Sequence, residues 1–166
     1  ESNANVELVM TERVKVHQSA ILAFDILPIG QADFIVATGG DDNAAALTCL
    51  GPAGFGFRNI IPSAHAAAVN GVTFVAHSHN TAENAGTFRF CTVGGDQKVK
   101  KWTIAVSAQM DQMGQLIVQN MEWNEVKDDD DVPTTVSDAA GIITFGGRCS
   151  HKHCMVFGNG IEIFEV

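Results

Sequence analysis

Several clusters in this sequence carry side chains able to do chemistry. The stretch CSHKHC places Cys149, His151, His153 and Cys154 within six residues, which are the ligand types of a zinc site. His77 and His79 stand two apart in HSHNTAENAGTF. His65 and Asp96 have the residue types of a catalytic dyad. KDDDDVP (127–133) offers carboxylates to a cation, and KVKKW (98–102) sets Lys98, Lys100 and Lys101 beside Trp102, the elements of a small nucleic-acid patch. Met110, Met113, Met121 and Trp123 could form an adaptable apolar surface.

Local spacing argues against most of these as sites. In an extended chain Cys149, His151 and His153 share a face and Cys154 points the other way. Four ligands so arranged do not converge on one tetrahedral ion. The acidic run lacks the alternating oxygens, turn glycine and terminal glutamate of a calcium loop and reads as a solvated loop. HSHNTAENAGTF reads as a surface loop by its polar, glycine-containing composition. The segment 106–123 reads as a loop insertion with its methionines filling gaps beneath it. GPAGFGF (51–57) is a flexible turn; no glycine motif follows a strand and opens a helix, so no cofactor is expected.

Composition bounds the rest. The chain has 166 residues, of which 46% are hydrophobic and 17% charged, enough for a packed core. Sixteen glycines and short apolar runs favour many short strands. A net charge of −9 makes direct nucleic-acid binding a poor fit and a protein partner a better one. No apolar run approaches a membrane span, and no basic-then-apolar leader is present, so no membrane role and a cytoplasmic location are expected. Cys49, Cys91, Cys149 and Cys154 are then expected as reduced thiols.

A repeat must position these residues. His17 and His65 are each followed by apolar residues four, seven and nine positions later: Ile21, Phe24, Ile26 and Val69, Val72, Phe74. VATGGDDNAAALTCL and CTVGGDQKVKKWTI then share a threonine four residues before an aspartate, Thr38 with Asp42 (or Asp41) and Thr92 with Asp96. SDAAGIITF and CMVFGNGIEIFEV give the shape a third time, with Val136, Cys154, Gly158 and Phe164 at the positions of His, Thr, Asp and Trp. Each unit predicts three strands and a candidate fourth, GFRNII (56–61) in the first and QLIVQNMEWNEV (115–126) in the second. VELVMTERVKV (6–16) looks like the outer strand of a preceding unit. The glycines of GGDD and GGDQ are expected to supply positive φ in tight hairpins.

The pattern resembles the WD-repeat family at His65, Thr92, Asp96 and Trp102. That resemblance implies an all-β fold, a partial β-propeller of about three four-stranded blades: 17–61, 65–126 and a three-stranded 134–166. It also implies a structural hydrogen-bond network of His65, Thr92, Asp96 and Trp102, repeated in part by His17, Thr38 and Asp42, with Thr48 at the first unit's Trp position. The chain is then a non-catalytic scaffold, and the rest of a longer propeller or another copy is needed to cover its open edges. Residues 14–104 and 134–166 are further similar to the WD-repeat partner subunit of the tRNA 2′-O-ribose methyltransferase acting on the anticodon wobble nucleoside. The likeness lies in VHQSAILAFDILP, FIVATGGDDNAAALTCL and the tail VSDAAGIITF…CMVFGNGIEIFEV. It implies a methyltransferase as protein partner, tRNA met indirectly, and S-adenosylmethionine held by the enzyme. The alternative is a generic WD-repeat scaffold in trafficking, ubiquitin ligation or ribosome assembly.

Overall fold

The computed structural model describes residues 12–30, 32–80, 85–110, 112, 116–126, 132–145 and 153–166. Among them there is no helix, and the strands form three antiparallel sheets in chain order. The first sheet holds β1 (Ile21–Pro28), β2 (Phe34–Gly40), β3 (Ala45–Gly51) and β4 (Gly54–Ile61), paired in that order. The second holds β5 (Val69–Asn80), β6 (Ala85–Gly94), β7 (Lys98–Met110) and β8 (Leu116–Glu125). The short β9 (Val132–Pro133) pairs with the start of β7, at Lys98 and Val99. The third holds β10 (Gly141–Phe145), β11 (His153–Phe157) and β12 (Ile161–Glu165).

Alternation along the strands gives each sheet two faces, and the second sheet buries both. One face packs Val72, Phe74, Phe88, Phe90, Trp102 and Ile104 against Leu27, Ile35, Ala37, Leu47 and Cys49 of the first sheet. The other packs Val75, Cys91, Val93 and Val99 against Ile142, Cys154 and Val156 of the third. Polar bonds tie the layers as well. Asp25 Oδ2 accepts from Phe74 N at 2.8 Å, and Thr144 Oγ1 donates to Phe74 O at 2.7 Å.

Three expectations are corrected. The polar stretch 77–88 is not a surface loop: β5 and β6 pair through it from His77↔Phe88 to Asn80↔Ala85. Nor is 106–123 a loop insertion, because β7 and β8 pair from Trp102↔Glu125 to Met110↔Leu116. Ladder hydrogen bonds hold these strand ends beyond the apolar core, where side-chain alternation no longer reports them. Finally, Asn43 (φ 64) and Gln97 (φ 60), not the glycines of GGDD and GGDQ, hold the positive-φ positions of their turns. In the leading segment 6–16, residues 6–11 lie outside the described residues and 12–16 carry no strand.

Candidate functional site

The polar residues of the first two units meet at the join between the segment entering the sheet and its second hairpin. In the second sheet His65 Nδ1 lies 2.9 Å from Asp96 Oδ1, and His65 Nε2 lies 2.7 Å from Thr92 Oγ1. Trp102 Nε1 donates to Thr92 Oγ1 at 2.9 Å. An indole N–H is a donor only, so the threonine oxygen accepts from it and its own hydrogen is free for His65 Nε2. His65 then carries its proton on Nδ1 and gives it to Asp96. The first sheet repeats the geometry without the indole: His17 Nδ1 to Asp42 Oδ1 at 2.9 Å and His17 Nε2 to Thr38 Oγ1 at 2.9 Å. Asp42, not Asp41, makes these bonds; Asp41 instead accepts from Ser19 Oγ at 3.1 Å.

Each aspartate also fixes the backbone after its histidine. Gln18 N donates to Asp42 Oδ2 at 2.7 Å and Ala66 N to Asp96 Oδ2 at 2.9 Å. Burial works to raise both carboxyl pKa values. These N–H bonds and the facing histidines outweigh it and hold Asp42 and Asp96 below the usual carboxylate range.

Gly40 and Gly94 make room for the rings. A Cβ on Gly40 would lie 2.3 Å from His17 Nδ1, and one on Gly94 would lie 2.6 Å from the His65 ring. These glycines serve close approach rather than turn conformation.

The third unit has the same join with different chemistry. A Cβ on Gly158 would lie 3.0 Å from Val136 Cγ1 and 2.4 Å from Asp138 O, so Gly158 matches Gly40 and Gly94. Pairing agrees: Val72 faces Thr92 as Ile142 faces Val156, and Phe74 and Thr144 are the residues that meet the preceding sheet. Val156 thus stands where Thr92 does, two residues beyond the expected Cys154, and Gly158 is not at the Asp position. The offset arises because three residues separate the last pair Phe157↔Ile161, against five between Val93↔Val99. The bulges at Ile21/Ala23 and Val69/Gly71 also have no counterpart between β10 and β11.

A carboxylate missed in the sequence serves this third join. Glu162 accepts from Thr134 Oγ1 at 2.7 Å, from Thr135 N at 3.1 Å, and from the Thr135 hydroxyl. The Thr134 and Thr135 bonds hold its pKa low. Glu162 lies on β12 rather than in the turn, so no Thr-x3-Asp spacing reveals it.

As an Asp–His–Thr array, the second network has triad-like distances, but its hydroxyl is enclosed. Thr92 is fully buried, and its oxygen already accepts from Trp102 and contacts His65. A nucleophile must reach the substrate, and this hydroxyl has no open side. Trp102 is equally buried, stacked with Phe90 at 6.1 Å and edge-on to Trp123 at 5.7 Å, so no base can stack on it. Lys100 pairs with Glu125 at 3.1 Å.

Among the described residues no three His, Cys, Asp or Glu side chains gather as metal ligands. Cys149 and His151 lie outside the described residues, as do Met113 and 127–131. His153 stacks on Phe145 at 5.7 Å on the outward face, while Cys154 points inward and is fully buried. Cys91 and Cys154 face each other between the sheets, and the hydrogen bond between them with burial pushes the Cys91 thiol up. Burial and the nearby Asp33 charge push Cys49 up to about 11. Raised, buried thiols are poor nucleophiles. Among the described residues no helix is long and apolar enough to cross a membrane. No protein-family model and no curated protein matches the chain.

Proposed function

We propose that this chain is part of a WD-repeat β-propeller acting as a non-catalytic scaffold. The observation that carries this reading is one arrangement met twice in successive sheets: histidine before the first strand, threonine on the second, aspartate in the following turn, and glycine beneath the ring. All of its polar chemistry is spent inside the fold, which leaves the surfaces to do the work. Sheets stacked face to face around an axis suit that task, because their rims present loops on a rigid frame.

Within that family, the likeness of residues 14–104 and 134–166 favours the partner subunit supporting 2′-O-ribose methylation of the tRNA anticodon wobble nucleoside. A net charge of −9 suits contact with a basic protein surface and leaves tRNA and S-adenosylmethionine to the enzyme. The chain then works in the cytoplasm beside that enzyme. Affinity purification of the tagged chain is expected to bring down a tRNA 2′-O-methyltransferase. Deleting its gene is expected to lower wobble 2′-O-methylation measured by mass spectrometry of tRNA nucleosides. Unchanged methylation, with a ubiquitin-ligase subunit or coat protein as the bound species, overturns the methyltransferase reading and leaves the scaffold.

A further inference from the structure

Two thiols face each other where the second sheet packs on the third, and strand register alone places them there. Across the second sheet Thr73, Cys91 and Lys101 stand in one row, and across the third Thr144, Cys154 and Phe164 stand in another. The rows are aligned at their inner ends, where Thr73 Oγ1 lies 3.2 Å from Thr144 Oγ1 and accepts from Thr144 N at 3.2 Å. The next members outward are Cys91 and Cys154, both buried in the core these sheets share. Their thiols hydrogen-bond to each other. The backbones are close here too, since a Cβ on Gly71 would lie 2.6 Å from Ile142 N. The fold does not require sulfur at this place. In the corresponding rows between the first and second sheets, aligned by the Asp25–Phe74 bond, Ala37 stands opposite Phe90.

A groove of about 280 Å³ leads to the pair, and its walls include Arg89, Cys91, Lys101 and Val126. Hydrogen peroxide, little larger than water, fits such a groove. Cys91 is only 1% exposed, so a bulky disulfide such as oxidised glutathione finds no surface to attack. Lys101, in the same row, favours the Cys91 thiolate, while burial keeps that fraction small.

We propose that Cys91 and Cys154 are a redox pair, which hydrogen peroxide converts to a disulfide that staples the third sheet to the second. The Cys91 sulfur attacks the peroxide and the O–O bond breaks. One oxygen stays on sulfur as the sulfenic acid, and the other leaves as water with the thiol proton. The Cys154 sulfur then attacks the sulfenic sulfur, the S–S bond forms, and the remaining oxygen departs as a second water. Two thiols thus give up two electrons and one peroxide becomes two waters. The first step is slow because little thiolate is present; the second joins sulfurs already in contact. An added dithiol reverses the change by thiol–disulfide exchange once the chain opens. The bridge ties residue 91 to residue 154 and so removes entropy from the unfolded chain. It spans the smaller of the two cores between sheets, where one covalent bond adds most. The inference rests on the packing of these two sheets and holds with or without the propeller reading.

The test treats the folded 166-residue chain with hydrogen peroxide, alkylates it in denaturant and maps the peptides by mass spectrometry. The expected product links the Cys91 peptide to the Cys154 peptide, with the loss of two hydrogens. Its melting temperature is expected to rise by about 5 °C or more, and dithiothreitol should reverse both changes. Cys49→Ala should leave the bridge intact, and Cys154→Ala should abolish both the bridge and the rise. The wild-type map reads the linkage directly, so the outcome does not depend on a variant that folds. A bridge from Cys149 to Cys154, oxidation of Cys91 without a bridge, or full alkylation of both thiols overturns the pairing. A Cys91–Cys154 bridge that leaves the melt unchanged or lowers it overturns the staple.

Discussion

The second and third sheets solve one problem with opposite chemistry. Each must pin the segment entering its first strand onto the hairpin that follows its second. In the second sheet a buried relay of Asp96, His65, Thr92 and Trp102 does it. In the third, Val136 packs into the same place, Val156 replaces the threonine, and the carboxylate moves to the surface as Glu162. What stays constant is the glycine beneath, Gly94 in one and Gly158 in the other. The fold therefore requires close approach at this join, and the polar relay is one of two ways to fill it. The relay adds direction, since each partner accepts only one geometry. Apolar packing gives up that direction and tolerates a shorter hairpin.

The sharpest way to break this comparison is to fill the glycine. Gly94→Ala drives a Cβ to 2.6 Å from the His65 ring and is expected to cost about 2–3 kcal/mol in denaturant melts. In a His65→Ala background the ring is gone and only the Asp96 carboxylate, 2.8 Å from the added Cβ and released from its histidine partner, must turn aside, so the double variant should be less than additive, closer to His65→Ala alone than to the sum. Gly158→Ala should cost as much, yet Val136→Ala should not relieve it, because the nearest atom is the backbone oxygen of Asp138 at 2.4 Å. Relief in both sheets, or in neither, would break the parallel.

The next largest contrast is between the carboxylates. Asp96→Ala leaves the His65 Nδ1 donor and Ala66 N without their acceptor, and its expected cost is about 2–3 kcal/mol. Glu162→Ala should cost less, since that carboxylate is solvated. The pH dependence has a definite sign. Asp42 and Asp96 are held below their unfolded pKa of about 3.9, so the unfolded chain takes up protons first as the pH falls. Stability is full above about pH 5 and is lost as the pH drops through the folded values. Asp96→Asn should flatten that slope. An unchanged acid limb would mean that the relay is not what protonation breaks.

These contrasts mark what could be read in the sequence. The strand order and the two His–Thr–Asp sets were legible because polar residues stand out in apolar runs, and the threonine-to-aspartate spacing of four recurs in Thr38–Asp42 and Thr92–Asp96. The glycines were legible as residues but not in role: GGDD looks like turn chemistry, whereas Asn43 and Gln97 take the left-handed positions and Gly40 and Gly94 lie under rings. The third register slipped by two because a shorter hairpin moves Val156 and Gly158 without changing the pattern of apolar residues. Strand ends at 77–80 were hidden because backbone pairing leaves no trace in side-chain alternation. Glu162 was invisible for a related reason, as its partners Thr134 and Thr135 meet it only once the sheet forms.

The smallest expected effect concerns the first sheet, which stands between the other two in chemistry. It keeps the His17, Thr38 and Asp42 relay but has Thr48 where the second sheet has Trp102, in matching pairs Val36↔Thr48 and Phe90↔Trp102. Among the described residues the Thr48 hydroxyl is buried without a partner, so it carries a desolvation cost that a methyl would not. Thr48→Val keeps the shape and the β-branched preference for a strand while removing that oxygen. Its expected outcome is a melt unchanged or raised by up to about 1 kcal/mol of stability. Thr92→Val, in the second sheet, should instead lower stability, because it strands both the Trp102 N–H and His65 Nε2. The same substitution would thus act with opposite sign one sheet apart. A Thr48→Val loss comparable to that of Thr92→Val would mean that the first sheet's hydroxyl has found a partner.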